Sequence, residues 1–316
     1  MAPPLRDPLG DVLALLRPRA VIAAELRAHG RWRLAFTDYP GIKFGVILRG
    51  ECFIALPGHP LQTLHEGDIF LLARPPRYVM ATDMSAPSHV ARDLFATDNA
   101  RATRIGRPRA KPILHAVGGH FELEAPNAHL VEGLPTFVRI PGHEAGALRD
   151  VIRLLVDEVR RDELGRLRAL DQLAQLVLTY ALRWLDADGR GPARKDWLRA
   201  LADPRIGASL RHIHGTVDRR TSLAALARVA GMSRTAFAAR FKELVGQPPL
   251  TYAIQWRMSL AKDALRTTDR AIGDLAFELG YLSESAFSLA FRREVGCSPR
   301  AYRNAEREAP VTRRRS

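Results

Sequence analysis

Ten histidines, two cysteines and 34 acidic residues are the side chains of this 316-residue sequence best suited to hold a metal, attack a carbon or move a proton. Their spacing offers little chemistry. His212 and His214 make an H-x-H, but two positions apart on a helix they point about 200° from each other and are poorly placed to share an ion. His59, His65, His89, His115, His120, His129 and His143 are scattered among predicted strands and loops, where a histidine can line a pocket or simply pack. No phosphate-cradling glycine loop, nucleophile elbow or clustered carboxylate pair occurs. No catalytic residue, metal site or cofactor is therefore expected. Two cysteines exclude a disulfide framework and a multi-cysteine zinc site. Cys52 reads as a small core residue on a strand. Cys297, beside Gly296 at a helix end, is open to a role as an oxidant-sensitive thiol.

A more specific chemistry lies in a repeated pattern of small, polar and basic residues. Leu226–Tyr252 and Leu275–Tyr302 are two copies of one motif, offset by about 50 residues. Gly231, Ser233, Phe237, Phe241, Gly246 and Pro249 of the first copy match Gly280, Ser283, Phe287, Phe291, Gly296 and Pro299 of the second, with one residue inserted. In each copy a short apolar helix ends at a glycine that permits a sharp turn. A serine then stands where the next helix needs an N-cap. That helix buries Phe237, Phe241 and Leu244 in the first copy, and Phe287, Phe291 and Val295 in the second.

The outer face follows by geometry. Arg234, Thr235, Ala238, Ala239 and Lys242 lie on it in the first copy. Glu284, Ser285, Ser288, Leu289, Arg292 and Arg293 lie on it in the second. A helix-turn-helix offers the N-terminal half of its second helix to base edges. Thr235, Ala238, Ala239, Ser285, Ser288 and Leu289 are the candidate base-facing residues: hydroxyls can bond to base edges and apolar groups can touch thymine methyls. Arg234, Lys242, Arg292 and Arg293 are the candidate phosphate contacts. For any one charge alone, a solvated helix face would be the simpler reading. Between the copies, Ile254, Met258, Ala261 and Leu265 form one stripe. A continuous helix there would place both units in successive major grooves, about 34 Å apart.

The first 145 residues read as strands. Apolar runs at 33–37, 44–48, 52–56, 69–73 and 78–81 alternate with turn signals, as in a sandwich or barrel. A short helix over 9–16 precedes them. Residues 98–112 read as a solvated basic loop, and 113–117 with 120–123 as a hairpin turning at Gly118-Gly119. Helical spacing then appears over 148–159 and 170–185, with a break near Gly165. This pair could dimerise or pack on its own barrel. Gly189–Pro192 reads as a short connection.

The net charge is +14, from 48 basic and 34 acidic residues, which suggests an anionic partner. Of the basic residues 43 are Arg, so part of the excess can reflect composition alone. Residues 216–316 hold 18 basic and 10 acidic residues, a denser excess than the rest of the chain carries. No apolar run is long enough for a membrane span, and no secretory signal is seen, so a cytoplasmic protein without membrane association is expected.

Residues 221–303 resemble the two-unit DNA-binding domain of the AraC/XylS family of bacterial transcription regulators. The carrying segments are AGMSRTAFAARFKELVGQPP, QWRMSLAKDAL and ELGYLSESAFSLAFRREVGCSPRAYR. The N-terminal part resembles the cupin-type sensor of one AraC subgroup, through IKFGVILRGECFIAL, LHEGDIFLLARPPRYVM and VGGHFELEAPNAHLVEGLP. DPRIGASLRHIHGTV fits the same subgroup. Two departures stand out. Many relatives carry Arg or Gln where this chain has Ala238, Ala239 and Leu289, which leaves more of recognition to DNA shape. Gly45 and Tyr78 replace histidines of metal-binding cupins, which argues against a three-histidine site.

The expected fold is α+β. A cupin-like β-barrel or jelly roll over 1–145 would act as sensor, and 146–204 would form a helical connector able to dimerise. A double helix-turn-helix would span 205–305, and a basic, disordered tail 306–316. The resemblance implies a promoter-binding regulator of the activator type, acting on double-stranded DNA and touching RNA polymerase. A small-molecule or redox effector and a homodimer fit the same reading. Two alternatives stay open: a cupin-type metal enzyme, and a dimeric DNA-binding protein without a ligand.

Overall fold

The apolar runs of the N-terminal half pair into two mixed sheets. A computed structural model of the chain describes residues 7–16, 18–96, 102–106, 113–123, 134–161, 163–186 and 197–308. Its strands are β1 (Arg19–His29), β2 (Arg33–Phe36), β3 (Ile42–Gly50), β4 (Cys52–Ala55), β5 (Gln62–Leu64), β6 (Ile69–Ala73), β7 (Tyr78–Ala81), β8 (Ser88–Val90), β9 (Ala102–Gly106), β10 (Leu114–Glu122) and β11 (Phe137–Ile140). One sheet runs β11-β6-β3-β10-β1-β9 and the other β5-β4-β7-β2-β8. Leu26, Ile47, Phe70 and Leu72 from the first sheet and Leu34, Ile54 and Met80 from the second meet in one core. The arrangement is two sheets sharing a core, not a closed barrel.

Two expectations fail here. Leu114–Glu122 form the single strand β10 instead of the hairpin expected over 113–123. β10 pairs antiparallel with β1 on one side and β3 on the other, straight through Gly118-Gly119. A Cβ on Gly118 would stand 2.9 Å from the Phe44 carbonyl, so the glycine admits a close strand and makes no turn. Within the expected loop 98–112, residues 102–106 are β9, parallel to β1. The rest of that loop, and Gly189–Pro192, lie outside the described residues.

The chain packs as two units. Residues 18–123 and 134–188 form the sheet-rich one, which includes α2 (Ala91–Ala96), α3 (Ala147–Arg160) and α4 (Arg166–Asp186). The break between α3 and α4 falls at Gly165, φ +83°. The pair packs on its own sheet, with Asp171 of α4 accepting from the Ala20 amide of β1 at 2.8 Å.

The second unit is helical. Before the sheets comes α1 (Pro8–Leu16). After them come α5 (Trp197–Ala202), α6 (Pro204–Gly215), α7 (Leu223–Val229), α8 (Arg234–Val245), α9 (Pro249–Thr267), α10 (Ile272–Glu278), α11 (Glu284–Val295) and α12 (Pro299–Glu308). Residues 306–308, expected in the tail, close α12 instead; 309–316 lie outside the described residues. Asp203 caps α6, accepting from the Arg205 and Ile206 amides at 3.0 Å. Although α1 precedes the sheets in sequence, it packs against α6 and α9.

Candidate nucleic-acid interface

Each helix-turn-helix is assembled by the same few atoms. The turn after α7 passes through Gly231 (φ +62°), and the turn after α10 through Gly280 (φ +78°), where a β-carbon is disfavoured. Ser233 then accepts from the Ala236 amide at 3.3 Å, and Ser283 from the Ala286 amide at 3.2 Å. α8 and α11 both end on a left-handed glycine, Gly246 (φ +88°) and Gly296 (φ +89°). Pro249 and Pro299 open α9 and α12, where the missing N–H costs nothing.

The cores repeat too. Phe237, Phe241, Phe287 and Phe291 are fully buried. The ring centroids of Phe237 and Phe241 lie 5.6 Å apart, and those of Phe241 and Tyr252 lie 5.9 Å apart. In the second copy Phe287–Phe291 is 5.7 Å and Phe291–Tyr302 is 5.6 Å. The stripe on α9 lies where its spacing predicts: Met258, Ala261 and Leu265 enter the second core, with Ile254 packed against it. Tyr252, near the other end of α9, meets the first. One helix thus carries part of both cores.

The opposite faces are open. Arg234, Thr235, Ala239 and Lys242 are exposed on α8, with Ala238 half-buried. Ser285, Leu289, Arg292 and Arg293 are exposed on α11, with Ser288 half-buried. Leu289, an apolar side chain 74% exposed, is the least satisfied of these in water. Among the described residues Arg234, Lys242 and Arg292 have no acidic partner, whereas Arg293 lies 3.0 Å from Glu294. Arg240 is also on α8 but is held by Asp203 at 3.1 Å and Glu243 at 3.0 Å.

Two residues hold this interface in ways the sequence did not indicate. Arg257 of α9 donates to the Val217 carbonyl at 3.2 Å and to Thr221 Oγ1 at 3.1 Å, clamping the segment that leads into α7. Its only sequence signal is an arginine beside an apolar stripe. His214 is the other. Its side chain is fully buried, whereas His212 is only half-buried. Its ring stacks on Trp256 at 3.9 Å between centroids. Asp11 of α1 lies 3.2 Å from Nδ1 and the Tyr252 hydroxyl 2.9 Å from Nε2. A carboxylate only accepts, so Nδ1–H donates and Nε2 accepts from the tyrosine; the neutral ring is fully satisfied.

Burial holds the His214 imidazole below its ordinary value of 6.5, against the opposing pull of Asp11. The neutral form therefore belongs to the fold, and its contribution is present above about pH 6.5 and lost as pH falls below it. Thermal unfolding from pH 8 to 5 should show this loss, and His214→Gln should flatten the acid side relative to wild type. An unchanged acid slope in the variant would contradict the assignment.

The sheet-rich unit does not fit a cupin metal. A Cβ on Gly45 would stand 2.4 Å from the Phe70 ring, and Tyr78 stacks on Phe36 at 4.6 Å. Among the described residues no three His, Cys, Asp or Glu side chains converge. Cys52 is buried, and burial with the nearby Glu51 charge pushes its thiol up to about 12, the reverse of a reactive thiolate. Cys297 is half-buried and lies in the other unit. No helix among the described residues is long and apolar enough to cross a membrane.

Residues 7–186 match the cupin family, and residues 226–305 match a helix-turn-helix domain family. The chain is similar to a putative AraC-like transcription regulator of Streptomyces antibioticus, 34% identical over 94% of this chain and 98% of that protein. Another, of Streptomyces lividans, is 33% identical over 94% and 98%. Among solved structures, the DNA-binding domain of AdpA, a global transcriptional factor in complex with a target DNA, is 33% identical. That match covers 34% of this chain and 96% of that one, with a TM-score of 0.32.

Proposed function

This chain belongs to the AraC-like family of helix-turn-helix transcription regulators, and on that premise we propose that α8 and α11 each enter a major groove of one promoter site. It is a DNA-binding regulator and not an enzyme. The observation that supports the groove assignment is the pair of open helix faces, set by matching caps and cores. Thr235, Ala238, Ala239, Ser285, Ser288 and Leu289 then face bases. Arg234, Lys242, Arg292 and Arg293 hold phosphates, which fix register but carry no sequence information. With apolar side chains, Ala238, Ala239 and Leu289, at three of the six base-facing positions, much of the specificity falls to DNA shape.

Footprinting on the gene's own upstream region tests this. Arg292→Ala should weaken binding to all sequences alike and reduce the slope of log affinity against log salt by about 0.9. Ser288→Ala should change the preferred base with little effect on non-specific affinity. If both variants fold and bind DNA as wild type does, α11 is not in the groove.

The sheet-rich unit acts as the sensor in this reading. A signal there alters DNA binding only by favouring one arrangement of the chain over another. Pairing of two copies and contact with RNA polymerase are carried by the family resemblance. Sedimentation of the free chain and transcription in vitro measure them. The site of action is the cytoplasm, where such a regulator meets the chromosome.

A further inference from the structure

We propose that the Lys43 ammonium is the anchor of an effector site between the two sheets, and that its ligand is an organic monoanion, a carboxylate on an apolar body. The proposal rests on the reading of this unit as the sensor and names the chemistry it would take.

Lys43 lies on β3, opposite Leu72 of β6 and His120 of β10. Its Nζ stands 5.3 Å from the ring centroids of Phe36 and Tyr39 and 5.5 Å from that of Tyr78. Phe36 and Tyr78 belong to the facing sheet, on β2 and β7, and their rings are parallel to within 1°. Tyr39, in the β2–β3 loop, is fixed by its hydroxyl, which donates to the Phe121 carbonyl at 3.1 Å. The His120 ring meets Tyr39 edge-on at 5.0 Å.

Three rings attract a cation through their faces but leave its hydrogen bonds unmade. The ammonium has three N–H donors, and among the described residues it has no hydrogen bond and no ion pair. Glu122, the nearby acid, acts on Tyr39 and His120 and is not paired with Lys43. Lys43 is half-buried, so the group has lost part of its water yet stays within reach of solutes. Burial alone holds its amine below the ordinary lysine value, as expected where no counter-charge is present.

An oxyanion supplies both missing terms, a charge and acceptors. One cation without an arginine fork or a helix N-terminus suits a monovalent carboxylate better than a phosphate, which needs more donors. The ring walls then require that the rest of the ligand be apolar.

The test uses the full-length chain with octanoate and phenylacetate, each against its neutral amide, and inorganic phosphate. Calorimetry should show binding of at least one carboxylate. Its amide, and phosphate, should bind at least about tenfold more weakly. Lys43→Met, whose side chain suits the aromatic cage, should lose about tenfold or more, and Lys43→Arg should keep most of the affinity. Should Lys43→Met fail to fold, pulsed acetylation of wild type decides: a bound carboxylate should slow labelling of Lys43 selectively among the five lysines. Equal binding of the amide or of phosphate overturns the proposal. So does undiminished binding in folded Lys43→Met, unchanged labelling, or no binding of either carboxylate up to about 10 mM. DNA affinity is measured separately in the same samples. A carboxylate that binds at Lys43 but leaves DNA affinity unchanged upholds the site and refutes the sensor reading.

Discussion

Phe291→Ala should destabilise the second helix-turn-helix by about 3–5 kcal/mol and abolish high-affinity DNA binding. Phe291 is fully buried between Phe287 and Tyr302, in a core completed by Met258, Ala261 and Leu265 of α9 and by Leu275 of α10. A cavity bounded by helices collapses only in part, so the lost contacts are not fully recovered. A domain is typically stable by only about 5–15 kcal/mol, so the loss is a large fraction of the total. The matched geometry gives the prediction an internal control. Phe241→Ala removes the equivalent ring between Phe237 and Tyr252, and should cost a similar amount in the first unit. Urea unfolding followed by circular dichroism measures both, and titration of promoter DNA measures the consequence. A loss below about 1.5 kcal/mol for Phe291→Ala would mean that the second core is not closed as described.

Why these positions could be read from sequence and others could not is a matter of where their partners lie. Caps, turn glycines and the phenylalanine face are set by residues within one or two helical turns, so their spacing reports them directly. β1 is the opposite case. Its sequence RAVIAAELRAH is rich in Ala, Leu, Glu and Arg, which favour helix, yet it pairs with β10 on one edge and β9 on the other. Two ladders outweigh a propensity of a few tenths of a kcal/mol per residue. β10 misled for a related reason: paired glycines signal a turn locally, and only the approach of Phe44 shows that they admit a neighbouring strand. Lys43, Tyr39 and Tyr78 give no local pattern, because the two sheets bring them together. The same holds for His214. Its H-x-H spacing argued against a shared ion and said nothing of its partners, which are Asp11, some 200 residues earlier in the chain, and Tyr252 on the linking helix.

Deleting residues 1–16 should destabilise the C-terminal helical unit by roughly 4 kcal/mol or more, although the deletion leaves every helix-turn-helix residue in place. Val12, Leu15 and Leu16 of α1 are buried, and fully burying such a side chain stabilises by about 1.5–3 kcal/mol each. α1 lies against α6 and α9, so the newly exposed apolar surface includes the helix that links the two DNA-binding units. The deletion also removes Asp11 and leaves the buried Nδ1–H of His214 without its acceptor, a cost of about 1–3 kcal/mol if no water replaces it. Asp11→Ala isolates this second contribution, since it leaves the three apolar side chains in place. The two variants should therefore fall in order, with the point mutant between wild type and the truncation. Promoter affinity should fall in the same order if α9 must be rigid to hold both recognition helices on one DNA face. A truncated chain whose helical unit unfolds within about 0.5 kcal/mol of wild type would show that α1 is only an appendage of that unit. A truncation that lowers stability but leaves promoter affinity intact below the unfolding transition would place α1 in the fold of the unit, but not in the positioning of its two DNA-reading helices.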